Sequence, residues 1–135
     1  MLIPKKQKYR KRFKGSFKGV SNAGSTLNFG SFGLKAITRS FVTSRQIEAA
    51  RRAMTRYCQK GGQIYIRIFP DQPISRKPAD VKMGSGKGAV DHYAVRVLPG
   101  RIVFEIDGLP EETAKHALML AAHKLPVKTK IVQEK

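Results

Sequence analysis

The chain has 135 residues, enough for one domain with a modest core, and 41% of them are hydrophobic. Against 9 acidic residues stand 27 lysines and arginines, a formal net charge of +18; so small a chain repels itself unless a polyanion is near, which makes nucleic acid the first expected partner and an anionic membrane the second. The single cysteine, Cys58, excludes an internal disulfide and a cysteine-based zinc site, and no apolar run nears the ~20 residues of a membrane span.

The charge is uneven. Residues 1–60 hold 15 basic residues and one acid, Glu48, while residues 61–135 hold 12 basic and 8 acidic ones. The N-terminal half is therefore the expected electrostatic footprint. Its first twenty residues carry Lys5, Lys6, Lys8, Arg10, Lys11, Arg12, Lys14 and Lys18, with Tyr9, Phe13 and Phe17 recurring every four residues among them. Such a segment buries too little apolar surface to order alone. Two readings stay open: a solubilising tail, or an arm that orders on RNA with lysines on phosphates and aromatics stacking on bases. No apolar region follows this start, so a secretory signal is not expected here. It is free of acids and contains serine, as transit peptides are.

Residues 19–33, rich in Gly, Ser and Asn, read as extended loop with Phe29 and Phe32 as anchors, and Gly33–Thr38 as a short strand. The spacing predicts a helix from Thr43 to Lys60. Thr43 and Gln46 form a capping box, and Gly61-Gly62 ends the helix. Ile47, Ala50, Met54, Tyr57 and Cys58 share one face at helical period. Arg45, Arg52, Arg56 and Lys60 cluster on the opposite face with Arg51 at its flank. Surface helices normally mix signs, so a face this uniformly positive fits phosphate contact.

Ile64, Ile66 and Ile68 alternate with Tyr65, Arg67 and Phe69 as a half-buried strand. Pro70 and Pro73 bracket a turn. Ile74–Pro78 runs out to a glycine-rich tip, and 92–98 runs back. Pro99-Gly100 makes a turn with Pro at i+1 and Gly at i+2, so 92–98 and 101–107 are expected to pair as an antiparallel hairpin. A second helix starts near Pro110, with Glu111 and Glu112 complementing its dipole. Its apolar stripe is Ala114, Ala117, Leu118, Ala121, Ala122 and Leu125. Pro126 stops it, and Val127–Val132 is a last strand. The layout predicts an α+β fold, a two-layer sandwich of two helices on a largely antiparallel sheet. A basic extended N-terminal arm (1–20) and a projecting glycine-rich loop (79–91) belong to the same single domain, 1–135.

The tip, Lys82-Met83-Gly84-Ser85-Gly86-Lys87-Gly88, combines glycines that permit close backbone approach with lysines that suit phosphate. It is not a P-loop: Val81 stands where the first glycine should, and Gly88 lacks the hydroxyl that magnesium needs. Gly84, Gly86 and Ala89 match a dinucleotide fingerprint in spacing, yet a strand pattern follows where a helix is required. His116 and His123 are seven apart, where a metal pair on a helix wants four; both read as surface residues. Glu105 and Asp107 share a strand face, with Arg67 and Arg96 as expected salt-bridge partners. Nothing here assembles a catalytic set, so a binding protein is expected rather than an enzyme.

The opening Met1-Leu2-Ile3-Pro4-Lys5, Tyr9-Arg10-Lys11, Lys14-Gly15, Phe29–Ala36 (FGSFGLKA), Thr43–Arg56 (TSRQIEAARRAMTR), Ile68-Phe69-Pro70-Asp71, Met83–Gly88 and Pro110-Glu111-Glu112 appear in an order that resembles the bacterial and organellar ribosomal large-subunit protein sixteen family. The resemblance runs from Met1 to about Val132. It implies a mature protein beginning at this methionine, with no enzymatic activity; no cofactor and no metal are expected either. It implies binding to large-subunit rRNA at the base of the central protuberance, near 5S rRNA and neighbouring ribosomal proteins. It also implies contact with A-site tRNA, extending to P-site tRNA, close to the peptidyl-transferase region. No membrane contact and no homo-oligomer are expected, and the ribosome would be that of a bacterial cytoplasm, a mitochondrion or a plastid. Carried over, the rRNA-binding residues are Lys5, Lys6, Lys8, Arg10, Lys11, Arg12, Lys14, Lys18, Lys35, Arg45, Arg51, Arg52, Arg56 and Lys60. The tRNA-facing loop is Lys77 with Lys82, Met83, Gly84, Ser85, Gly86, Lys87 and Gly88. The chain departs from the family pattern at Lys82, where many members have Arg, and at His92-Tyr93, where members usually show Tyr-Trp.

Overall fold

Hydrophobic spacing and turn chemistry generate nine elements in the computed structural model, which describes residues 2–5, 24–58, 61–75 and 90–134. In chain order they are β1 (Phe32–Ala36), β2 (Ser40–Thr43), α1 (Ser44–Cys58), β3 (Gln63–Ile66), β4 (Gln72–Ser75), β5 (Val90–Val97), β6 (Ile102–Asp107), α2 (Glu111–Ala122) and β7 (Thr129–Gln133). The basic arm beyond Lys5, Lys60, Lys77 and the whole glycine tip lie outside the described residues.

The capping box closes as expected: the Thr43 amide donates to Gln46 Oε1 at 2.9 Å and the Gln46 amide to Thr43 Oγ1 at 3.2 Å. Two of the donors that a helix start leaves without partners are thus satisfied reciprocally. Ile47, Ala50 and Met54 are buried, and Cys58 is half-buried, with its thiol pushed up by burial. Tyr57 departs from the expected core face and is 42% exposed. At the other end the Gly61 amide donates to the Cys58 carbonyl, and Gly62 takes φ 76° to release the chain.

All strand pairs are antiparallel, as expected, but the strands divide into two sheets, ordered β3-β6-β1-β7 and β2-β5-β4. The expected hairpin between 92–98 and 101–107 does not form. The turn itself does: the Arg101 amide donates to the Leu98 carbonyl at 3.2 Å, and Gly100 has φ 95°, which fits the second central position of a type II turn. Non-local pairing overrides the local connection. β1 takes the β6 edge, with Phe32 opposite Ile106 and Leu34 opposite Phe104, while β2 takes β5, with Val42 opposite Val95. The Gly100 amide donates to the Ala36 carbonyl at 2.7 Å. The turn is therefore the corner where the chain leaves one sheet for the other. Pro73, expected to close a turn, lies inside β4 instead. β4 is an edge strand, where a missing N–H is tolerated.

α1 and α2 pack on each other; α2 lies on β1, β6 and β7, and α1 on β2, β3 and β5. The core joins Leu34, Val42, Ile47, Met54, Phe104, Ile106 and Leu118. Ala114, Ala117 and Ala121 are fully buried; their small side chains let α2 approach the sheet closely. No helix among the described residues is long and apolar enough to cross a membrane.

Candidate nucleic-acid interface

α1 carries the described part of the basic face. Arg45, Arg52 and Arg56 are exposed and Arg51 is half-buried. Glu48, the one acid of the N-terminal half, sits among them. Its carboxylate accepts from Arg51 Nη2 at 2.5 Å and from Arg52 Nε at 3.2 Å. The hydrogen bond from Arg51, ahead of the opposing effect of burial, brings the Glu48 carboxyl down to about 2. One anion thus spreads over two cations, and the trio presents a single net positive charge with fixed arginine geometry. Arg45 and Arg56 make no ion pair among the described residues. Lys5 is exposed near the chain start. Lys35 is half-buried in β1 and stands opposite Lys130 of β7.

A cleft of about 270 Å³ gathers Ile3, Ser44, Arg45 and Val90–Tyr93. The chain start, the first turn of the basic helix and the strand that returns from the glycine tip therefore meet at one place. Asp91 and His92 stand in the same cleft with Oδ2 and Nδ1 2.7 Å apart. A second groove, about 440 Å³, runs between the helices and is lined by Ala53, Arg56, Tyr57, Leu120, His123 and Lys124. Sequence reasoning read His123 as a surface residue but missed that it and Lys124, at the C-terminal end of α2, stand beside Arg56. The i, i+4, i+7 spacing of His116, Leu120 and His123 was the available signal. The His116 ring lies 4.4 Å from that of Tyr57.

A third feature fixes the loop ahead of β1. Glu105 is fully buried in β6. Its Oε1 accepts the amides of Asn28, Phe29 and Gly30, each at 3.0 Å, and its Oε2 accepts from Arg67 Nη1. Burial pushes this carboxyl up, but the Gly30 amide, Arg67 and the amides of Phe29 and Asn28 together outweigh it and hold it below the usual range. Arg67 also donates to the Thr26 carbonyl, and Arg101 donates to the Arg67 carbonyl at 2.7 Å. The expected Arg67–Glu105 pair is present. Arg96, expected beside the same acids, belongs to β5 in the other sheet, where its Nε donates to Gln72 at 3.1 Å; Asp107 instead accepts from the Ser31 hydroxyl at 3.0 Å.

Cations carried on one helix, a pinned loop ahead of β1 and an α+β fold behind them make a basic domain whose surface suits a polyanion. The sequence matches the family described as Ribosomal protein L16p/L10e over residues 4–132. It is 57% identical over 133 residues to the large ribosomal subunit protein uL16 of Bartonella henselae, covering 98% of this chain and 97% of that one. It is 59% identical over 132 residues to the uL16 of Caulobacter vibrioides, at 98% and 92% coverage. Against the uL16 of Xanthobacter autotrophicus it is 58% identical over 133 residues, at 98% and 97% coverage. The chain belongs to the L16p/L10e family of ribosomal proteins. It is a structural component of the large ribosomal subunit in the cytoplasm of a bacterium.

Proposed function

We propose that this chain binds large-subunit rRNA through Lys5–Lys18 and the face formed by Arg45, Arg52 and Arg56, with Lys60 extending it. The glycine tip then presents Lys82 and Lys87 to the backbone of tRNA at the A site and toward the P site. Counterion release supplies much of the rRNA affinity. The lysines position a phosphate backbone and make no base-specific contact, so the protein shapes the tRNA site without chemistry of its own. 5S rRNA and neighbouring ribosomal proteins complete the expected partners. The observation that carries this reading is the cleft uniting Ile3, Arg45 and Val90–Tyr93. Ile3 at the chain start, Arg45 of α1 and Val90–Tyr93 of β5 line that cleft together, which supports one contact side serving both rRNA and tRNA.

The test is reconstitution of large subunits with the Lys82→Ala/Lys87→Ala double variant. Subunits are expected to assemble normally and to accommodate tRNA more weakly. Unchanged accommodation would make the tip passive and remove the tRNA part of the proposal.

A further inference from the structure

Phe29 is an apolar ring left 57% exposed, yet its position is fixed through both backbone and ring. Its own amide and those of Asn28 and Gly30 all donate to the buried Glu105 carboxylate. Its ring stacks on Tyr65 with centroids 5.3 Å apart and planes inclined by 24°. The guanidinium carbon of Arg67 lies 5.2 Å from the ring centre. Burial does not explain this fixing, because more than half of the residue faces solvent. A ring fixed in advance loses little entropy when a second planar group stacks on it. Its ring contacts include an aromatic and a guanidinium, partners that suit a planar π-system. The surrounding chain carries a net charge of +18. The fitting occupant is a planar group attached to a polyanion.

We infer that Phe29 is a stacking platform for one unpaired rRNA base, extending the Tyr65–Phe29 stack by one ring. Unpaired bases in RNA loops and bulges are commonly recognised on aromatic side chains in this way. The inference rests on the rRNA-binding reading above and adds to it a base-contacting residue distinct from the phosphate-positioning arginines of α1.

The chain contains no tryptophan, so Phe29→Trp creates a sole reporter at the site. The full-length wild type, Phe29→Trp, Phe29→Ala and Phe29→Leu are titrated with a bacterial large-subunit rRNA transcript and with a fully paired RNA duplex. Phe29→Trp should bind the transcript like the wild type, with its emission quenched by the transcript and not by the duplex. Phe29→Ala and Phe29→Leu should both weaken transcript binding, roughly 5- to 150-fold for one lost base stack, with the salt dependence unchanged. Leucine keeps the apolar bulk, so its failure to rescue separates stacking from loop packing. Transcript binding by Phe29→Leu at wild-type strength overturns the inference. So does tryptophan emission from Phe29→Trp that stays constant at saturation, or that changes only when other ribosomal proteins are added. Failure of the wild type itself to bind rRNA is seen independently of any variant, and it removes the underlying reading as well.

Discussion

Replacing Glu105 by Gln tests whether one buried charge organises the outer face of the β3-β6-β1-β7 sheet. The substitution keeps the side-chain shape and one carbonyl oxygen but removes the negative charge. Arg67, whose side chain is only 11% exposed, is then left without its counter-ion. The three amide donors lose a charged acceptor for a neutral one, and hydrogen bonds to charged groups are the stronger kind. Breaking a buried pair from one side typically costs about 3–5 kcal/mol, a large share of the ~5–15 kcal/mol that stabilises a domain. With a urea dependence of about 2 kcal/mol per molar, the unfolding midpoint should fall by ~2 M. Hydrogen exchange at the Asn28–Gly30 amides should accelerate along with it. The pH dependence has a definite sign. The folded carboxyl lies below the unfolded value of about 4.3, so its contribution is complete above that pH and disappears as pH falls through the folded value. The wild type should therefore lose stability in acid by a component that Glu105→Gln lacks. A midpoint shift under ~0.5 M, about 1 kcal/mol on the same slope, with unchanged amide exchange would refute the view that this carboxylate pins the loop.

Two further outcomes follow from the helix that carries the basic face. Thr43→Ala removes half of the capping box and should lower stability by about 1 kcal/mol in urea unfolding, with rRNA affinity otherwise intact. Glu48→Gln should do the reverse. It costs at most about 1 kcal/mol, because Arg52 is largely in solvent, and it frees Arg51 and Arg52 for phosphate. The log–log salt slope of rRNA binding should steepen by about 0.9 for each added phosphate contact. The stability that Glu48 contributes is present above the unfolded carboxylate range and is lost as pH falls toward about 2, so wild type and Glu48→Gln should converge in strong acid.

Features settled by neighbouring residues were legible in the sequence. Thr43 and Gln46 are three apart, and their reciprocal bonds follow from that spacing alone. The Leu98–Arg101 turn likewise needs only Pro99 and Gly100. The pairing of the strands on either side of that turn was not legible, because β6 found its partners at Phe32–Lys35 and Gln63–Ile66, far away in the chain. The site divided in the same manner. The arginine face of α1 could be read from helical period, whereas Glu48's hold on Arg51 and Arg52 depended on rotamers. The fixing of Phe29 depended on an acid 76 positions away. Tyr57 sits at the rim of the apolar stripe, where a period of 3.6 does not decide between core and solvent.

The span of the Glu105 clasp bears on how the protein is made. The amides it holds belong to residues 28–30, and the acid comes 75 to 77 residues later. At about 5–20 residues per second, synthesis takes roughly 4–15 s to pass from one to the other. During that interval the segment around Phe29 exists without its clasp, and contacts of such long sequence separation form late. The basic stretch that precedes it is thus synthesised well before residues 28–30 can be fastened. Nascent chains halted before and after residue 105 would differ in proteolysis at 24–31 if the clasp sets the order of events.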